Sequence, residues 1–133
     1  MRILSLGCSE FSYVCTTPLV DSPDPAKLAV RMVARNALVL LVSVEQGDSP
    51  SQVRRAADRV RRIAEYAEIT RVVIDGFAHL SNRLATPDGV RERLGVLADA
   101  LHPLGVHMTP FGWNKLLHFD VTAEEWSHRY IHT

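Results

Sequence analysis

Short apolar runs of strand length, interspersed with two longer segments of helical periodicity, predict an α+β domain, a mainly antiparallel sheet with two main helices packed against one face. Three observations carry this. Leu38 to Val44 is almost continuously aliphatic and closes on Glu45-Gln46-Gly47-Asp48, as a buried central strand ends in a turn. Val53, Ala56, Ala57, Val60, Ile63, Ala64 and Ala67 recur at helical spacing. Val90, Leu94, Leu97 and Leu101 repeat the pattern later in the chain. At 133 residues and 47% hydrophobic content, the chain supports one core, so residues 1–133 read as a single domain.

The elements follow in order. Arg2 to Leu6 is aliphatic enough for a first strand, and Phe11 to Thr16 mixes aromatic and β-branched residues as a second; the expectation is a hairpin. Pro18, Pro23 and Pro25, among Asp21, Ser22 and Asp24, mark a connecting loop, because proline cannot serve a central ladder. Ser49-Pro50-Ser51 offers N-cap chemistry for a long amphipathic helix reaching about Glu68. Arg71 to Ile74 is a short buried strand running straight into Phe77-Ala78-His79-Leu80-Ser81-Asn82-Arg83-Leu84-Ala85-Thr86-Pro87. Thr86 and Pro87 cap and open the second helix, which Pro103 to Gly105 ends. Val106 to Thr109 and Leu116 to Val121 are two more strands, flanking a turn at Pro110-Phe111-Gly112-Trp113-Asn114-Lys115.

Composition excludes several classes. Fifteen basic residues balance fifteen acidic ones, so no global cationic field draws nucleic acid, and any RNA contact must be local. No apolar run approaches the roughly 20 residues of a membrane span, and the apolar stretch before Cys8 is too short for a signal peptide. A soluble, cytoplasmic protein is expected. Cys8 and Cys15 form no CxxC pair and read as reduced, partly buried thiols.

Two cations stand where chemistry is plausible. His79 follows a strand end, where an imidazole can orient water near neutral pH, although an isolated histidine is more often a structural hydrogen-bonder. Lys115 follows a proline- and glycine-punctuated turn, where an ammonium could stabilise the oxyanion of an attacked ester; an isolated lysine is usually a solvated surface residue. Glu125 could bind an amine or ribose hydroxyl, its neighbour Glu124 offering the same group. Arg54, Arg55, Arg59, Arg61 and Arg62 make the first helix basic, either as a phosphate-facing edge or, the favoured reading, as a solvated face partly offset by Asp58 and Glu65. His128 and His132 would share a face only if their segment were helical, and two ligands fall short of a metal site. P-loop, GxGxxG, GxSxG and HExxH motifs are absent, and no cofactor is expected.

The ordered set Met1-Arg2-Ile3-Leu4, Leu41-Val42-Ser43-Val44-Glu45, the Phe77 and Pro110 segments and Glu125-Trp126-Ser127 resembles the editing domain of archaeal threonyl-tRNA synthetases, a relative of the D-aminoacyl-tRNA deacylases. It covers nearly the whole chain outside the proline-rich loop. The resemblance implies a D-aminoacyl-tRNA deacylase-like fold, usually homodimeric, and metal-free hydrolysis of an aminoacyl ester. By motif position, Lys115 matches the catalytic lysine and His79 the active-site histidine, while Val44, Gly76, Phe77, Ala78, Phe111, Asn114 and, less directly, Glu125 match substrate-binding positions. Two departures stand out: Gly7-Cys8-Ser9 replaces a His-Ser-Asp typical of the family, and Asn114 stands where an aromatic residue is common.

The implied substrate is the 3′ end of tRNA(Thr) wrongly charged with L-serine, hydrolysed in trans or as part of a threonyl-tRNA synthetase. Serine lacks only threonine's methyl, a difference worth about 1 to 3 kcal/mol in one binding pocket, so a second, hydrolytic site is needed. D-aminoacyl-tRNA deacylation and a non-catalytic tRNA-binding or assembly role are the alternatives.

Overall fold

The computed structural model describes all residues from Met1 to Thr133. Strand β1 (Arg2–Pro18) is followed by β2 (Met32–Ser43), helix α1 (Pro50–Ala67), β3 (Arg71–Gly76), helix α2 (Pro87–Ala100), β4 (Gly105–Met108), β5 (Trp113–Val121) and β6 (His128–His132). Short 3₁₀ turns at Ala78–Leu80 and Glu125–Ser127 precede α2 and β6. The sheet runs β4-β3-β2-β1-β5, and β6 pairs with the first part of β1. β1 is antiparallel to β2, β5 and β6, whereas β3 lies parallel to both β2 and β4. The sheet is therefore mixed but mainly antiparallel, as expected; β3 and β4 are the parallel members, because α1 and α2 act as crossover connections returning the chain to the same end.

The expected hairpin between residues 2–6 and 11–16 does not form. Both belong to β1, since Gly7 to Glu10 holds no turn pair and instead stays extended. What the segment does contain is a bulge: the β1–β5 register slips between Cys8 and Glu10, leaving Ser9 unpaired. Opposite it, Asn36 in β2 adopts a left-handed conformation, φ 49°. Beyond this point inward-facing parity changes. Ile3 faces the helices, whereas Phe11, Tyr13 and Cys15 face the opposite core. The bulge thus lets one 17-residue strand serve two cores and curls the sheet.

The larger core lies between the helices and the sheet, with Leu38, Leu40, Val42, Val72 and Ile74 meeting Val53, Ala57, Val60, Leu94 and Leu97. The second, inside the curl, joins Cys8, Phe11, Tyr13, Cys15, Ala37, Val39 and Val73, with Leu117 and Phe119 packed against them. The helix ends match their sequence signals. Ser49 caps α1 through a reciprocal capping box with Gln52, and Glu68 closes it in a left-handed conformation. Thr86 caps α2 with Pro87 in its first turn. The tail is a strand, so His128 and His132 do not share a helix face. Neither helix is long and apolar enough to cross a membrane.

Candidate active site

The carboxyl ends of β2 and β3, the start of α2, the β4–β5 turn and the first residues of β5 enclose a cavity of about 390 Å³. Apolar side chains dominate its lining, as expected for a small-molecule subsite with few fixed polar groups. The buried ones are Lys115 and Asp75, while His79 and Asn114 stand at the exposed rim. Lys115 Nζ lies 3.1 Å from Asp75 Oδ1, with the two side chains only 6% and 4% exposed. Thr109 Oγ1 donates to the same Asp75 oxygen at 2.5 Å. Sheet curl creates the pairing: β5 and β3 are separated by β1 and β2 in the strand order, yet their side chains meet inside the fold.

Lys115 lies within β5 rather than in the turn before it, because the strand begins at Trp113. Its partner in β1 is Cys15, a buried thiol. Burial raises the Cys15 pKa, offset in part by the Lys115 ammonium and reinforced by the Asp75 carboxylate. Cys15 is accordingly a packing residue and not a thiolate nucleophile.

The opposite wall is the Phe77 segment, which leaves β3 and runs alongside the end of β2. Phe77 N–H donates to Val42 O at 2.8 Å, and Ala85 N–H to Val44 O at 3.0 Å. The buried Ser43 hydroxyl donates to Phe77 O and accepts from Leu80 N–H at 3.2 Å. Ser81 Oγ donates to Glu45 Oε1 at 2.7 Å, and the Arg2 side chain and Met1 amino group contact the same carboxylate. Burial works against ionisation of Glu45, but the bonds from Ser81, Arg2 and the amino group prevail and hold its pKa down at about 2. His79, at the exposed rim, packs edge-on to Phe77 with ring centroids 5.1 Å apart.

Val44, Gly76, Phe77, Ala78, His79, Phe111, Asn114 and Lys115 all line this one cavity, although they come from separated stretches of chain. A match to the model of the archaea-specific editing domain of threonyl-tRNA synthetase extends over residues 1–130. The chain belongs to that family. The threonine–tRNA ligase editing subunit of Aeropyrum pernix is 39% identical over 119 residues, covering 86% of this chain and 28% of that protein. The editing subunit of Saccharolobus solfataricus is 34% identical over 116 residues, covering 86% and 30%. The threonine–tRNA ligase of Pyrobaculum calidifontis is 38% identical over 120 residues, covering 86% and 19%. The chain thus spans less than a third of the length of these relatives. Among solved structures, the c-Myc DNA unwinding element binding protein superposes with a TM-score of 0.73 over 100% of this chain and 99% of its own, at 8% identity. That likeness establishes the fold alone, the α+β, deacylase-like architecture.

Glu125 lies apart from the cavity of this editing domain. It sits in the 3₁₀ turn before β6, 82% exposed and 3.6 Å from Arg129, so the tail carboxylate is a surface group. The Gly7-Cys8-Ser9 departure also lies elsewhere, in mid-β1, where a Cβ on Gly7 would come within 2.3 Å of the Trp126 ring. Asn114 remains at the cavity, its side-chain amide donating to Thr17 Oγ1 at 3.0 Å.

Sequence reasoning missed Asp75, whose signal was a carboxylate continuing the apolar run Val72-Val73-Ile74. It also missed Leu19 and Val20, which line the cavity from the proline-rich loop. No local pattern marks them.

Proposed function

We propose that this editing domain is an aminoacyl-tRNA deacylase that hydrolyses L-seryl-tRNA(Thr), in trans or within a threonyl-tRNA synthetase. The supporting observation is the buried Lys115–Asp75 pair beside an apolar cavity large enough for an amino acid ester and part of a nucleoside. Asp75 fixes the ammonium in place, which preorganises a positive charge where an ester oxygen gains negative charge. Water attacks the ester carbonyl carbon, forming a new C–O bond while the carbonyl π pair moves onto oxygen beside Lys115. Collapse breaks the bond to the terminal ribose oxygen, which leaves with a proton as the hydroxyl, and free serine carries the water oxygen. His79 holds the substrate at the rim, and the Gly76-Phe77-Ala78 backbone limits the space beside the aminoacyl group, which favours serine over the larger threonine.

Incubation with L-Ser-, L-Thr- and D-Ser-tRNA(Thr), with and without Lys115→Ala, tests this reading. Selective, Lys115-dependent release of L-serine supports it. Faster release of D-serine would assign chirality checking instead, and binding without turnover of any ester would make the domain a tRNA-binding module. A homodimer in the cytoplasm, as in the resemblance, completes the proposal, and light scattering of the purified chain tests the dimer.

A further inference from the structure

The loop joining β1 to β2 is fastened beside the cavity by a cluster of bonds centred on Asp24. Asp24 Oδ2 accepts from the Phe111 backbone N–H at 3.0 Å, and Oδ1 from Arg91 Nε at 3.2 Å. Its own N–H donates to Phe111 O at 2.9 Å, and its carbonyl accepts from Trp113 Nε1 at 2.7 Å. Arg91, on α2, also donates to Ser22 O and stands 4.8 Å from the centre of the Phe111 ring. Three parts of the chain therefore converge on Asp24. The residues placed by this clasp are Leu19, whose N–H donates to Gly112 O at 2.7 Å, and Val20, which packs against Gly112. Both line the cavity, yet Leu19 is 63% exposed. Leu19 therefore presents an apolar side chain at the rim of a mostly apolar cavity, where a bound group entering from solvent would meet it.

Its position limits what that partner is. Cys15 stands opposite Lys115 and Pro18 opposite Trp113, so Leu19 lies three to four residues along from the lysine, roughly 10 Å at strand rise. We propose, resting on the deacylase reading, that Leu19 and Val20 form the wall against which the terminal nucleoside of the RNA packs. Asp24 is the positioning residue that holds this wall. With an ester carbonyl at Lys115 the attached ribose carries its base several ångströms further on, and a base face is a largely apolar surface that leucine and valine side chains cover.

The test measures deacylation by Leu19→Ser, Asp24→Ala and Arg91→Ala, with Leu28→Ser as a control, since Leu28 is exposed in the same loop but does not line the cavity. Leu19→Ser and Asp24→Ala are expected to raise KM about tenfold, the scale of one lost apolar contact, with kcat held within about twofold. Asp24→Ala and Arg91→Ala together should cost little more than either alone. An unchanged KM in Leu19→Ser, an equal rise in Leu28→Ser, or a fall in kcat at constant KM overturns the wall. Fluorescence anisotropy with a CCA-ended RNA separates this result from the function. Wild-type binding without turnover removes the deacylase and leaves the wall to stand or fall on the affinity of Leu19→Ser. Turnover unaltered in Leu19→Ser removes the wall alone, and neither binding nor turnover by the wild type overturns both.

Discussion

Lys115 and Asp75, 40 residues apart in sequence, form a 3.1 Å ion pair with both side chains almost wholly removed from water. Such a pair contributes little net stability, because desolvation offsets the attraction, but removing one member leaves a buried uncompensated charge. Asp75→Asn is therefore expected to cost about 3 kcal/mol in urea unfolding. Deacylation should fall in the same variant, and Asp75→Ala with Lys115→Met should be more stable than Asp75→Ala alone because the orphaned ammonium is gone.

His79 has an exposed rim position and no place in the Lys115–Asp75 pair, so His79→Ala should raise KM severalfold and change kcat little. Steady-state kinetics with L-seryl-tRNA(Thr) distinguish this from a general-base role, which would lower kcat by a factor of about 100 or more.

Glu45 ties the Phe77 segment to the first strand and titrates near 2, below its ordinary value of 4.5. Its contribution is fully present above about pH 4.5 and is lost as the pH falls through about 2. Acid unfolding should show this loss, about 1 to 2 kcal/mol, and Glu45→Gln should flatten stability across that window while lowering it at pH 7.

Gly112 has φ +89°, and a Cβ there would lie 2.5 Å from Val20 Cγ2. Gly112→Ala is expected to cost about 1 to 3 kcal/mol by thermal unfolding and to raise KM as the cavity wall shifts. Gly95, where a Cβ meets open space, should accept alanine with no loss.

No residue of α1 lines the cavity, although Arg54, Arg55, Arg59 and Arg62 are exposed on it. Reversing Arg55 and Arg59 to glutamate should leave KM for the tRNA unchanged, in keeping with a solvated face. A rise that weakens the salt dependence of binding would make the helix a phosphate contact.

Local physics made much of the fold legible. Ser49 and Thr86 cap helices where they were expected, and Leu38 to Val44 supplies the buried heart of the sheet, because caps and periodicity act over a few residues. Where longer-range pairing decided, the local reading failed. The segments around Gly7 could form a hairpin or one bulged strand, and the choice depended on β5 and β6 pairing along the same edge. His128 to His132 has too weak a pattern to declare itself and becomes a strand by docking on Arg2 to Leu6.

The site divides in the same way. Sequence by itself determined the family, the helix boundaries and the segments carrying His79 and Lys115, since these rest on residue identity and order. Only the tertiary structure decided that Asp75 holds the lysine, that Leu19 lines the cavity beside the Asp24 clasp and that Glu125 lies apart from it. A curled sheet brings together residues whose separation in sequence carries no local signal, and electrostatic pairing acts on distance in space.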